Sequence, residues 1–499
     1  MARTFMYPRP RPRGLLGRKL EADEQLVLGA GLVGGLFAAL LITSIPLKIA
    51  AFAAVAGTCA WATLAPYKGR TYLRWFEIRR TYKRQLRDGS LLYKSKAPSA
   101  GRFLDGRRAA IDVPVGVPQD MQWITARTAY GEIAVTLQPH ELMFTAAVEV
   151  EGMRDFGSLD TQDKESLIRA YEHLLKTTAD SGGRIRRLQW IARVIPSDPN
   201  AHARDAAARR DSTSPAWLQQ SYNELIQKVA VTAEDRRLIL AVGIPYTPDL
   251  VAEARRYGTL HEGYAITLGK EIESFVRTLG RGQLRHVRNL DEAGLASYLH
   301  HAYAPSHWID DTTGMDRVTC WPAELDARDK KHMASRSWEV SEDSWYSMTA
   351  WVKELPVLPA GINFLAPLLL YVQDVIFSVS VTMDLVPTDQ AISEAMADAT
   401  VELGTADKKA GKIEDPRDQK AQSASLSTMK DIANGAAGTR LAAWITVTSP
   451  NADALRRDGD TIRAASSRAG VRLEWCDNEH HRAFANTLPF LGGLLTGGR

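Results

Sequence analysis

Histidine offers the first arrangement that could carry chemistry. His300-His301 closes one predicted helix, and His480-His481 opens another close to Cys476, Asp477 and Glu479. A metal needs ligands that converge, yet neighbouring residues on a helix point about 100° apart. Neither an HExxH pattern nor a ligand pair at i,i+4 accompanies them, so they are read as ordinary surface and helix-end histidines. Asp310-Asp311 and Asp458-Gly459-Asp460 could hold a divalent cation, but Asp and Gly also make turns, and that reading is taken. Cys59, Cys320 and Cys476 are odd in number and far apart, which gives neither a disulfide framework nor a zinc signature. A phosphate-binding loop needs GxxxxGK followed by Ser or Thr. The nearest approach, Gly404 to Lys412, has wrongly spaced glycines and Ile413 in the hydroxyl position. No Rossmann glycine pattern, kinase set or GxSxG elbow occurs. The residues therefore mark no catalytic, cofactor-binding or metal site, and a non-enzymatic protein is expected.

The elements that would position such residues are written at two scales. A chain of 499 residues and 55.1 kDa exceeds one compact core; 45% hydrophobic and 24% charged residues at mean hydropathy -0.22 exclude a disordered or collagen-like chain and a many-helix transporter. The net charge of +4 hides an asymmetry: residues 1–100 hold 17 Lys and Arg against 5 Asp and Glu, net +12, leaving 45 against 53, net -8, for the rest. Within the basic part, residues 25–47 and 49–67 carry no charge, and only Lys48 separates them. Each run is about long enough to cross a hydrocarbon core as a helix. Pro46 and Lys48 supply the break, one by removing a donor and the other by preferring the interface. A transmembrane hairpin over 20–67 follows, retained rather than cleaved because a second apolar run follows at once. Arg3, Arg9, Arg11, Arg13, Arg18 and Lys19 in the tail 1–19, and the cations after the hairpin, put both ends in the cytoplasm.

Small residues in the hairpin let helices approach closely. Gly31 with Gly35, and Ala53 with Gly57, form small-xxx-small pairs that pack the hairpin or dock other membrane subunits. Trp61 and Tyr67 fall where interfacial aromatics are expected. Residues 68–96 read as a basic amphipathic juxtamembrane helix. Tyr72, Trp75, Phe76, Tyr82 and Leu86 recur at near-helical spacing among Arg74, Arg79, Arg80, Lys83, Arg84 and Arg87. On the inner leaflet such a helix would place its aromatics at headgroup level and its cations, Arg74, Arg79, Arg80, Lys83 and Arg84 beside Trp75, against anionic lipid or a partner.

A linker over 97–115 leads to an α+β body. Strands are predicted at 122–129, 132–138 and 142–150, a helix at 160–178, a strand at 186–195, a helix near 215–229 and a strand at 237–243. Helical stretches follow between 249 and 279 and near 291–301. The order then reruns: strands at 335–340 and 348–353, a buried apolar helix at 361–372, a strand at 375–385, a long helical region from 388 interrupted near 405–428, a strand at 442–448, a helix at 452–469 and a strand at 471–475. Two similar lobes, 116–330 and 331–490, and a flexible tail over 491–499 are expected. The net -8 of the body argues against direct nucleic-acid contact, leaving Arg184, Arg186 and Arg187 as a local basic patch.

Residues 18–96, with the turn Ile45-Pro46-Leu47-Lys48-Ile49 and the helix start Gly69-Arg70-Thr71-Tyr72-Leu73-Arg74-Trp75, resemble PrgI-family proteins, which are similar to the third VirB component of type IV secretion systems. The body resembles the N-terminal, non-ATPase domain of the VirB-class traffic ATPase. The residues behind this are Leu188-Gln189-Trp190-Ile191-Ala192-Arg193-Val194-Ile195-Pro196, Trp217-Leu218-Gln219-Gln220-Ser221-Tyr222-Asn223-Glu224-Leu225 and Arg482-Ala483-Phe484-Ala485-Asn486-Thr487-Leu488-Pro489. The combination resembles a membrane-protein family of actinobacterial integrative and conjugative elements. In the ATPase family the nucleotide-binding domain follows a Leu-Pro like Leu488-Pro489, where this chain stops. The resemblance thus implies a two-pass cell-membrane platform of a conjugative DNA-transfer system, without cofactors, in an oligomeric assembly with other secretion subunits and a separate VirB-type P-loop ATPase. An EccE-like subunit of a type VII secretion system is the second reading, and a membrane-tethered transferase using the acidic pairs is the third.

Overall fold

The computed structural model describes residues 22–67, 70–95, 113–180, 182–196, 215–230, 234–338, 343–356, 360–387, 389–393, 396 and 438–494. The tail 1–19, most of the linker, the stretch 405–428 and residues 495–499 lie outside them. Two antiparallel helices, α1 (Ala22–Leu40) and α2 (Ile45–Leu64), come first, and Pro46 sits in the opening turn of α2, where its missing donor costs nothing. A two-stranded ribbon of β1 (Pro66–Tyr67) and β2 (Arg70–Thr71), helix α3 (Tyr72–Arg87) and β3 (Leu92–Lys94) lead into the body. There follow β4 (Gln122–Thr128), β5 (Gly131–Gln138), β6 (Met143–Gly152), α4 (Thr161–Asp180), β7 (Arg187–Pro196), α5 (Ala216–Ala230), β8 (Glu234–Pro245), α6 (Pro248–Ala254), α7 (Leu260–Thr278), β9 (Leu284–Asn289) and α8 (Glu292–Tyr303). The remainder comprises β10 (Glu324–Asp326), β11 (Met333–Arg336), β12 (Ser344–Glu354), α9 (Ala366–Leu369), β13 (Ile376–Val386), β14 (Gly438–Ser449), α10 (Ala452–Arg468), β15 (Arg472–Trp475) and α11 (His480–Ala485). The body is α+β.

One antiparallel sheet organises it, in the order β3-β10-β11-β12-β14-β13-β7-β8-β6-β5-β4, with β9 added on β6 and β15 on β12. Two runs of this order are the same. In the first, β4-β5-β6-β8-β7 carries β9 on β6; in the second, β10-β11-β12-β14-β13 carries β15 on β12. Both added strands join where the register shifts. The halves meet where Arg187–Val194 of β7 pairs with Phe377–Asp384 of β13, so they share one sheet. The sheet also redraws two expected boundaries. β10 precedes residue 331 yet pairs within the second half, and β3, from the segment expected to be wholly helical, pairs with β10 at the sheet edge.

Helices α4 and α7 cover one face of the first half over Ile133, Phe144, Leu240 and Val242, and α10 covers the same face of the second half over Ile445 and Val447. The cap of α7 is a capping box from Thr259 and Glu262, and Asn451 caps α10. Gly269 of α7 lies so close to the β4 backbone that a Cβ would meet the Arg127 carbonyl at 2.5 Å, which lets the helix cover that sheet edge. The opposite face is sealed by α8, Trp321, Phe484, Phe490 and Leu491 in a core that spans both halves and includes Tyr82, Leu91 and Tyr93. Each such side chain, fully buried, stabilises the fold by about 1.5–3 kcal/mol.

The apolar stretch 361–372 is not the expected buried helix. Only Ala366–Leu369 is helical, Leu368 and Val372 are buried, and Tyr371 is exposed. Its apolar side chains divide between core and surface, and Pro367 starts the single turn. Nor is 491–494 free: Leu491 is buried and Gly492 and Gly493 are hydrogen-bonded to the sheet.

Candidate functional site

The hairpin and the elements at its base bring together most of the residues that the sequence singles out. Gly31 and Gly35 both face α2: a Cβ on Gly31 would lie 2.5 Å from the Cβ of Cys59, and one on Gly35 3.0 Å from Phe52 Cδ2. These glycines are used within the hairpin. Ala53 is exposed and a Cβ on Gly57 would meet nothing within 4 Å, so that pair looks away from α1. The four therefore do not form one packing surface. Leu26, Val33, Phe37, Leu40, Leu41, Ile45 and Ile49 all point outward. Of the two helices, Ile45–Thr63 is long and apolar enough to cross a membrane, while Glu24–Leu40 is apolar but shorter.

Below the hairpin the chain is held to the second half of the sheet. Arg70 Nε donates to Glu474 on β15 at 2.5 Å and its Nη1 to Glu479 at 3.0 Å, and Lys353 on β12 reaches Glu474 at 2.8 Å. Burial alone would lower the Arg70 pKa, but its hydrogen bonds to the two glutamates outweigh that and raise it. Thr71 caps α3 through the amide of Arg74 and donates to Glu24 at the start of α1. Trp61 stacks on Tyr72 at 4.4 Å. The clamp thus joins both helices of the hairpin to β12 and β15.

Helix α3 divides its faces differently from the expected pattern. Ile78 and Tyr82 are buried against the body, where the Tyr82 hydroxyl donates to the Arg328 carbonyl. Trp75 lies between the guanidinium groups of Arg70 and Arg79, 5.7 and 5.8 Å from its ring. Arg74 pairs with Glu77 at 3.4 Å. The outward face therefore keeps Arg79, Arg80, Lys83, Arg84 and Arg87, with Phe76 62% and Leu86 45% exposed among them. Tyr82 is engaged by the body, Tyr72 by Trp61 of the hairpin, and Trp75 by Arg70 and Arg79.

The other candidates are committed to internal contacts. His300 and His301 are buried in α8, where His301 Nδ1 donates to the His307 carbonyl at 2.7 Å, and His480 Nδ1 accepts the Thr349 amide at 3.1 Å. They sit at helix ends, as expected, but are buried in the core and not on the surface. Asp310 receives Arg237 and Arg288, each at 2.6 Å, while Glu149 joins the same two arginines, and Asp311 caps the Thr313 amide. Asp458-Gly459-Asp460 lies within helix α10 and not in the expected turn; Ser449 donates to Asp458, and Asp460 pairs with Arg463. Burial pushes the Cys476 thiol up to about 12, so the thiolate nucleophile is scarce at neutral pH. Among the described residues no three His, Cys, Asp or Glu side chains converge as metal ligands. In the basic patch, Arg184 pairs with Glu253 and Glu271 and Arg187 with Asp384, while Arg186 donates to the carbonyls of Gly183 and Ile185.

No family model and no curated protein matches the chain.

The clamp is what the sequence reading missed. Arg70 was one more cation in a basic run, and Glu474 and Glu479 lay some 400 residues away. The available signal was Glu474 inside a predicted strand, a charge in an otherwise half-buried setting.

Proposed function

We propose that this chain is a non-enzymatic inner-membrane platform subunit of a type IV secretion-like conjugative system, and that it holds a separate VirB-type P-loop ATPase at the cytoplasmic face. In this reading α1 and α2 cross the membrane as a two-pass hairpin with both ends cytoplasmic. The observation that carries it is a helical hairpin with outward apolar side chains, fastened through Arg70 to the sheet. Such a surface suits hydrocarbon, and the exposed cations of α3 beside it suit anionic headgroups. The engagement of the His, Asp and Cys candidates in packing and ion pairs supports a scaffold over a catalyst. The choice of a conjugative system rests on the sequence resemblance.

Affinity purification from membranes, with mass-spectrometric identification of partners, tests this. A VirB-type P-loop ATPase should co-purify, and the isolated chain should bind no nucleotide. Tight ATP binding by the chain itself would overturn the reading, and recovery of an FtsK-like ATPase with WXG-type substrates would assign the chain to type VII secretion instead.

A further inference from the structure

We infer that residues 486–494 form a clasp that locks the two half-sheets together at the β7–β13 seam. The seam face is unusually polar. Gln189 of β7 and Ser380 and Thr382 of β13 are fully buried there, and buried polar groups require partners. The segment after α11 supplies them with its own backbone. Gln189 Nε2 lies 3.0 Å from the Asn486 carbonyl, 2.9 Å from that of Leu488 and 2.9 Å from Ser380 Oγ, while its Oε1 accepts the Leu491 amide at 2.7 Å. On the first half, Gln138 of β5 donates to the Phe490 carbonyl at 2.7 Å. On the second, Thr382 donates to Gly492 O at 2.9 Å and Trp444 of β14 to Gly493 O at 3.2 Å. One short segment thus ties four strands across both halves.

Its sequence suits the task. Gly493 has φ +84°, and a Cβ there would fall 2.2 Å from Trp444 Nε1, so a side chain at 493 cannot be accommodated in this path. A Cβ on Gly243 of β8 would lie 2.5 Å from Leu491 Cδ1; the glycine leaves the space that Leu491 fills as a knob on the first half. Among the described residues, the ion pairs of Arg70 and the β3–β10 pairing fasten the base of the hairpin to the second half. Besides the chain that leads from β3 to β4, its connection to the first half passes through the shared core, the β7–β13 pairing and this clasp. The inference concerns the fold and stands independently of the secretion reading.

Hydrogen exchange with mass spectrometry on the full chain in detergent tests it. In the parent, peptides covering β7 and β13 should exchange slowly. Gly493→Val, which collides with Trp444, should raise exchange in those two peptides about tenfold while leaving β9, which the clasp does not touch, unchanged. Because that variant could unfold more widely, Thr382→Val serves as a milder companion that removes one clasp hydrogen bond and should raise seam exchange by a few-fold. Seam exchange unchanged in both variants, with faster exchange confined to 486–494, would overturn the clasp. So would equal acceleration of β9 and the seam in Thr382→Val.

Discussion

Gly31 and Gly57 share one small-residue pattern in the sequence and have opposite surroundings. Gly31→Leu places atoms where Cys59 already sits and should destabilise the hairpin by about 1–3 kcal/mol. Gly57→Ala meets no neighbour and should be neutral or stabilising by up to about 1 kcal/mol, since alanine is the better helix former. Thermal melts in detergent separate the two, and equal losses would refute the assignment of Gly31 to the helix interface. Titration is also decided residue by residue. Burial, then Arg482 and His480, hold His481 down to about 4, and burial ahead of Arg193 lowers His301. Unfolding returns these rings to their ordinary value near 6.5, so between pH 6.5 and 4 the unfolded chain binds more protons than the folded one. Stability should be flat above that window and fall as pH drops through it, with His481 contributing about 3 kcal/mol at the low end. His481→Gln should shallow the slope of melting temperature against pH; an unchanged slope would show that His481 does not carry it.

Elements join the chemistry of single residues to the membrane. Arg70→Ala removes the shared partner of Glu474 and Glu479 and should cost about 3 kcal/mol, because it leaves partly buried carboxylates with less compensation. Limited proteolysis should then cut more readily between α2 and α3, and Arg70→Lys should restore part of the protection; no change in either variant would leave the clamp without mechanical weight. Helix α3 bears a second test, since each exposed cation near an anionic surface contributes about 1 kcal/mol. Arg80→Gln with Lys83→Gln should reduce the phosphatidylglycerol retained by the protein on release from nanodiscs, measured by native mass spectrometry. Retention equal to the parent would remove α3 from the lipid contact. The amphipathic pattern of α3 was legible in sequence, and so were β7, β8 and β14, whose apolar and β-branched runs are local information. Which aromatics of α3 would be spoken for was not, because Tyr82 and Trp75 are claimed by Arg328, Arg70 and the sheet core. The three-residue strands β3 and β10 escaped for the same reason: β3 is a strand only through β10, and β10 only through β3 and β11.

At the scale of the whole molecule, the repeated order of strands and helices could be read along the chain, but the pairing could not. Nothing local says that β8 inserts between β6 and β7, or that β7 and β13 meet, since both depend on partners far away in sequence. The pairing decides how the body should unfold. Two lobes with separate cores would melt separately, whereas here one sheet runs through the seam, and one core draws Ile191 and Ile239 from the first half together with Met333 and Phe484 from the second. Opening either half would strip apolar cover from the other, so the cost of opening is shared and the transitions are coupled. Hydrogen exchange at increasing denaturant should therefore give coincident midpoints for peptides from β5 in the first half and β14 in the second. Midpoints that separate in the parent chain would mean that the seam joins two independent units. Coincidence in the parent with separation in Gly493→Val would place the coupling in the segment that crosses the seam, as its hydrogen bonds to Gln138, Gln189, Thr382 and Trp444 require.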